Sequence, residues 1–229
     1  MRLILSAFAL GTGALAIAIP VQAQAPAAKD WSTAVVLTPE GGFRMGNPDA
    51  KVKLVEYGSL TCPHCADFAA ASREPLARLV RAGKVSFEFR NYVLNGIDAT
   101  ATLLARCAVP GRFFPLVDRL YETQPEWVGK IRGLPDAEKE KLKLLSDGER
   151  LARLADIGGL TTMAGAAGIE AARGKQCLAD PAGLERIGQI GEAAAAMGVE
   201  GTPTFFINGV MVPVSTWEEL EPLIRQAGG

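Results

Sequence analysis

The sequence predicts an α/β fold in which a mixed central sheet, flanked by helices, is divided in the chain by a long all-helical insertion. Three observations predict it. A strand–helix–strand unit occupies residues 52–89, a purely helical pattern follows over about 98–197, and a short hairpin with a closing helix completes the chain. At 229 residues, 48% hydrophobic and 21% charged, the chain can bury a sizeable core. Its net charge of -1 excludes the electrostatic footprint of a nucleic-acid binder, so no nucleic-acid partner is expected.

Met1-Arg2, the apolar run Leu3–Ile19, Pro20 and the small residues of Val21-Gln22-Ala23 predict a Sec-type signal peptide over 1–23, cleaved after Ala23. The expected product is a soluble exported chain in a compartment where disulfides persist. Residues 24–42 read as a flexible leader, with Val35–Leu37 as a short strand and turns at Pro39–Gly42 and Gly46–Asp49.

The main domain is expected over 43–227. Val52–Tyr57 is rich in β-branched and aromatic residues and reads as a strand. A helix follows from Pro63 to about Ala82 and stops at Gly83, and Val85–Phe89 alternates as a second strand. A strand, helix and strand this close together form a βαβ unit with a parallel pair. Within the helical insertion the pattern is clearest at Thr102–Cys107, Phe113–Glu122, Ala137–Leu145, Glu149–Ile157 and Leu184–Met197. Thr204–Ile207 and Val210–Pro213 flank Asn208-Gly209, a type I′ hairpin signal. The last helix is expected over Ser215–Gln226, with Ser215 and Glu218 as its capping box.

Cys62-Pro63-His64-Cys65 falls where a strand hands over to a helix. Pro63 suits the first helical position, which has no amide partner to lose. Cys62 then lies at the helix N-terminus, where free amides and the dipole favour a thiolate. Cys65 follows on the same face and deeper, close enough to close a small ring. A zinc site would need a second close cysteine pair, and Cys107 and Cys177 are far apart in the chain. A c-type haem site would need histidine after Cys65, where the residue is Ala66. The motif therefore predicts redox chemistry without metal or cofactor. His64, the one histidine, is either an exposed turn residue or a cationic neighbour that further favours the Cys62 thiolate.

Three further sites stay open on the residues alone. Pro203, after Thr202, is either an ordinary strand starter or a cis-proline that turns the Thr202 backbone toward the cysteines. Glu56 is either a buried acid able to exchange a proton with Cys65 or an exposed strand-end carboxylate. Cys107 and Cys177 are free thiols, a structural disulfide or a second redox pair. The even count and the oxidising compartment favour the structural bridge.

Together, Cys62-Pro63-His64-Cys65, the helical insertion and Gly201-Thr202-Pro203-Thr204 before an Asn-Gly hairpin resemble the DsbA-like thiol:disulfide oxidoreductases, which share the thioredoxin fold. The resemblance spans about residues 43–227. It implies Cys62 as the surface nucleophile and Cys65 as the resolving cysteine. It also implies a cis Pro203 that with Thr202 helps hold substrate, and Glu56 as a buried proton relay. A membrane quinone reductase of the DsbB type is implied as reoxidant. Thr202 departs from the valine of the best-known oxidases and is a choice also seen in isomerases, and residues 24–42 are too short for an isomerase-type dimerisation domain. The expected protein is thus a monomeric periplasmic thiol oxidase acting on reduced exported proteins. A disulfide isomerase or reductase, and a holdase chaperone that uses the cysteines only as a staple, are the alternatives.

Overall fold

A computed structural model describes residues 29–229. The signal peptide expected at 1–23 lies outside the described residues, as does the start of the leader. A six-stranded mixed sheet forms the centre, in the order β1-β2-β4-β3-β5-β6. Its strands are β1 (Val35–Leu37), β2 (Phe43–Gly46), β3 (Val52–Gly58), β4 (Val85–Asn91), β5 (Thr204–Ile207) and β6 (Val210–Val212). Only β3 and β4 run parallel, as the βαβ unit requires, and the other neighbours are antiparallel.

The sheet begins before the boundary expected at 43. β1 pairs with β2, and Arg44, Met45 and Phe43 of β2 pair in turn with β4. The strand expected at Val35–Leu37 is thus the edge of the sheet, the expected turn at Pro39–Gly42 joins it to β2, and this part of the leader is ordered. Burial of the Phe43 ring, stacked 3.7 Å from Phe113, holds that edge.

Helix α1 (Pro63–Arg81) connects β3 to β4. Phe68, Leu76 and Val80 recur at helical spacing on its inner face and are buried against the sheet. The helical insertion contains α2 (Gly96–Cys107), α3 (Pro110–Glu122), α4 (Gln124–Arg132), α5 (Asp136–Lys143), α6 (Asp147–Gly158), α7 (Leu160–Ala166), α8 (Ala171–Ala179) and α9 (Pro181–Ala196). The last of these starts three residues earlier than Leu184, because Asp180 caps it and Pro181 takes its first position. It covers the opposite sheet face, where Ile190 and Ala194 pack with Tyr57 and Phe206.

The closing helix α10 (Trp217–Gln226) is capped by Thr216 with Glu219, one residue beyond the expected Ser215 and Glu218. Both registers satisfy the same sequence pattern. In the observed one, Trp217, Leu220 and Ile224 share the buried face, and Trp217 reaches Phe68 on α1. No helix among the described residues is long and apolar enough to cross a membrane.

Cys107 and Cys177 form a disulfide that ties the end of α2 to α8 across 70 residues. Closing a loop of that length in the unfolded chain predicts a loss of about 4 kcal/mol when both are replaced by serine. Denaturant unfolding, with the Cys62–Cys65 pair held in one redox state, measures it. A loss below about 1 kcal/mol would mean that packing alone holds the insertion together.

Candidate active site

The site forms where β3 ends and α1 begins. Strand periodicity fixes its buried acid, since Val52, Leu54 and Glu56 alternate onto the core face of β3. β3 is central, with Glu56 opposite Phe89 of β4 and Phe205 of β5. The residue is 3% exposed, and its Oε1 has no hydrogen-bond partner. Gly58 leaves the room it needs, because a Cβ there would stand 2.5 Å from the Phe89 ring and 2.8 Å from Glu56 Oε1.

Cys62 is the N-cap of α1 and has extended backbone, and Pro63 occupies the first turn. Its thiol is held down to about 5, first by a hydrogen bond from the Cys65 thiol, then by Thr202 and by the backbone amides of Cys65 and His64. Desolvation opposes these donors and is outweighed. Cys65 is fully buried, and burial followed by the hydrogen bond to Cys62 and the nearby Glu56 pushes its thiol well up. Burial and the Cys62 charge push Glu56 up to about 8. Near neutral pH the site thus holds one negative charge, on Cys62, with Cys65 and Glu56 protonated.

The Thr202–Pro203 peptide is cis, and the Thr202 carbonyl oxygen stands 3.3 Å from Cys62 Sγ. The Thr202 hydroxyl is buried and otherwise unpartnered, which leaves it free to donate to the thiolate. His64 is exposed, and its backbone amide adds to the donors that hold Cys62 down. Cys62, Cys65, Glu56, Thr202 and Pro203 therefore converge, whereas Cys107 and Cys177 are bridged to each other in the insertion.

Three residues not singled out from sequence hold the loop that carries Cys62. Gln124, at the start of α4, donates through Nε2 to the carbonyls of Leu60 and Cys62, each at 2.9 Å. Asp98, on α2, accepts from the Ser59 hydroxyl at 2.6 Å, the Leu60 amide at 3.0 Å and the Leu94 amide at 2.9 Å. Burial still pushes Asp98 up to about 6. Tyr121, on α3, donates to the Ser59 carbonyl at 3.2 Å. The available signal was a lone carboxylate, Asp98, within the small and apolar stretch 97–105.

The thioredoxin family model matches residues 38–226. The chain belongs to the thioredoxin family. It is similar to a Rickettsia bellii protein provisionally described as a protein-disulfide oxidoreductase, at 29% identity over 75% of this chain. The aligned region spans 58% of that relative's length. Among solved structures it resembles a protein-disulfide isomerase from Novosphingobium aromaticivorans, with a TM-score of 0.75, 29% identity, and coverage of 81% of this chain and 97% of that one. It also shares the fold of Wolbachia pipientis alpha-DsbA1, with a TM-score of 0.66, 20% identity, and coverage of 84% and 93%. This thioredoxin-family chain thus has the DsbA-like form, with helices inserted between β4 and β5.

Only the thiolate reacts with iodoacetamide, so modification of Cys62 in the reduced protein follows its ionisation. The expected midpoint is at pH about 5. Thr202→Val removes one donor and should move the midpoint upward. A wild-type midpoint in the ordinary thiol range, above pH about 8, would contradict the assignment.

Proposed function

We propose that the protein is an exported thiol oxidase that donates a Cys62–Cys65 disulfide to reduced exported proteins in the periplasm. The observation that carries the reading is the opposed pair of thiols, with Cys62 held down at a helix N-terminus and Cys65 pushed up behind it. A substrate thiolate attacks Cys62 Sγ, and the Cys62–Cys65 bond breaks. The electron pair leaves on Cys65, which takes a proton from Glu56. A second substrate thiolate then attacks the substrate sulfur of the mixed disulfide and expels Cys62 as its stable thiolate. The substrate gains a disulfide and the enzyme leaves as the dithiol, so the dithiol itself carries the two electrons.

Reoxidation calls for a partner that accepts two electrons from Cys62 and Cys65, and the family resemblance points to a membrane quinone reductase of the DsbB type. The expected working form is a monomer. A disulfide isomerase is the second reading. It is favoured by Thr202 before the cis-proline and by the isomerase description of the Novosphingobium structure.

Refolding of a reduced, unfolded substrate, followed on non-reducing gels, tests the mechanism. Cys62→Ser is expected to abolish disulfide formation, and Cys65→Ser to accumulate a covalent enzyme–substrate species. Undiminished oxidation by the Cys62 variant would refute the nucleophile assignment.

A further inference from the structure

The sheet face turned away from α1 is only partly covered. Lys53, Val55 and Tyr57 of β3 alternate onto it, and α9 packs over Tyr57 and Phe206 with Val55 at the margin. Beyond Val55, toward the start of β3 and away from Cys62, lies a groove of about 500 Å³. Its lining comes from strands and the turns that join them and includes no helix residue.

Four cations, Arg44, Lys51, Lys53 and Arg90, line this groove against one carboxylate, Glu88. Glu88 is already engaged, by Arg90 Nε at 2.7 Å and by the Thr38 hydroxyl at 2.8 Å. Arg44, Lys51 and Lys53 belong to no ion pair among the described residues. Lys53 Nζ gives one of its three donors to the Ala50 carbonyl at 3.3 Å and keeps the others.

Neutral donors stand among the charges. Ser86 is opposite Lys53 across the parallel pair, and Arg44 is opposite Glu88, the next residue on the same face of β4. The Ser86 hydroxyl thus lies on the floor, between the strands that carry Arg44 and Lys53. Asn208 Oδ1 accepts from the Lys53 amide at 2.8 Å, which fixes that side chain and leaves its Nδ2 to donate.

Donors from three strands and a turn suit an anion with several oxygens. A carboxylate brings a single charge, whereas a phosphate monoester brings nearly two charges and three strong acceptor oxygens. The volume falls within the range of about 300 to 1,000 Å³ typical of small-molecule sites, and Val55 offers the rest of an ester an apolar surface.

We propose that this groove binds the phosphate group of a small phosphorylated solute, with Arg44, Lys51 and Lys53 supplying charge and Ser86 and Asn208 supplying neutral donors. The site lies at the opposite end of β3 from Cys62 and stands independently of the redox reading.

Calorimetric titration of the full chain with phenyl phosphate and with benzoate, at low ionic strength, tests it. Phenyl phosphate should bind saturably at one site, about tenfold more tightly than benzoate, which has the same ring and one charge. Lys53→Gln should weaken phenyl phosphate about tenfold, and Ser86→Ala, which keeps every charge, about threefold. Lys84→Gln removes an exposed charge at the same end of the sheet but outside the groove, and should leave the affinity unchanged. Lys51→Gln serves as the second charge variant should Lys53→Gln fail to fold.

Absence of saturable binding, equal affinity for the two ligands, or equal losses in Lys53→Gln and Lys84→Gln would each overturn the site. Full affinity in Ser86→Ala would do the same, since diffuse attraction alone ignores a neutral donor. Sedimentation with phosphatidylglycerol vesicles separates the sources of phosphate. No retention is expected, and retention that Lys53→Gln abolishes would overturn the solute and assign the groove to a membrane surface.

Discussion

The position of one sulfur atom at the first turn of α1 is the constraint on which the rest of the structure depends. A thiolate at that point needs amides that point outward, a proline that wastes no donor, and a neighbouring thiol that gives its hydrogen bond. It also needs a loop that does not drift. The loop is held from the insertion by Asp98, Tyr121 and Gln124. From the far end of the chain, 140 residues away, the Thr202 carbonyl closes against the sulfur. The insertion therefore does more than enlarge the domain. It supplies the side chains that fix the backbone on which Cys62 sits.

Two causes compete at the acids and thiols of the site, hydrogen-bond donors to Cys62 and the scarcity of water behind it. Donors outweigh desolvation at Cys62, whereas desolvation wins at Cys65, Glu56 and Asp98. The consequences for folding have opposite signs. In the reduced protein the lowered Cys62 contributes stability that is complete above the unfolded thiol range and is lost as pH falls toward 5. The raised Glu56 acts the other way, since stability declines as pH climbs from its ordinary carboxyl range through about 8. Near neutral pH the lowered Cys62 favours the folded dithiol, whereas the raised Glu56 costs part of that gain, and a stabilised dithiol makes a disulfide more oxidising.

Much of this was legible in the chain because local chemistry dictates it. The Cys-Pro-His-Cys placement and the Asn-Gly hairpin need only near neighbours, whereas the burial of Glu56, open on the residues alone, follows from the central place of β3 in the sheet. β2 was not legible, because a four-residue strand ending at Gly46 carries little periodicity and is defined by its register with β4. The cap of α10 had two equivalent registers, and the buried Trp217 distinguishes the observed one. Gln124 and Asp98 escaped notice because their partners in the loop before α1 lie 38 to 64 residues away in sequence. Pairing of Cys107 with Cys177 likewise depends on how α2 and α8 pack, and nothing in the spacing encodes that.

The central claim is that thiolate stabilisation at Cys62 makes the Cys62–Cys65 disulfide oxidising. Its most direct test is the equilibrium of that pair against glutathione buffers, with alkylation and mass mapping of all four cysteines. The account predicts a potential near the strongly oxidising value of about −120 mV, with Cys107–Cys177 remaining oxidised throughout. A potential of about −200 mV or lower would contradict it and assign the protein to isomerase or reductase duty.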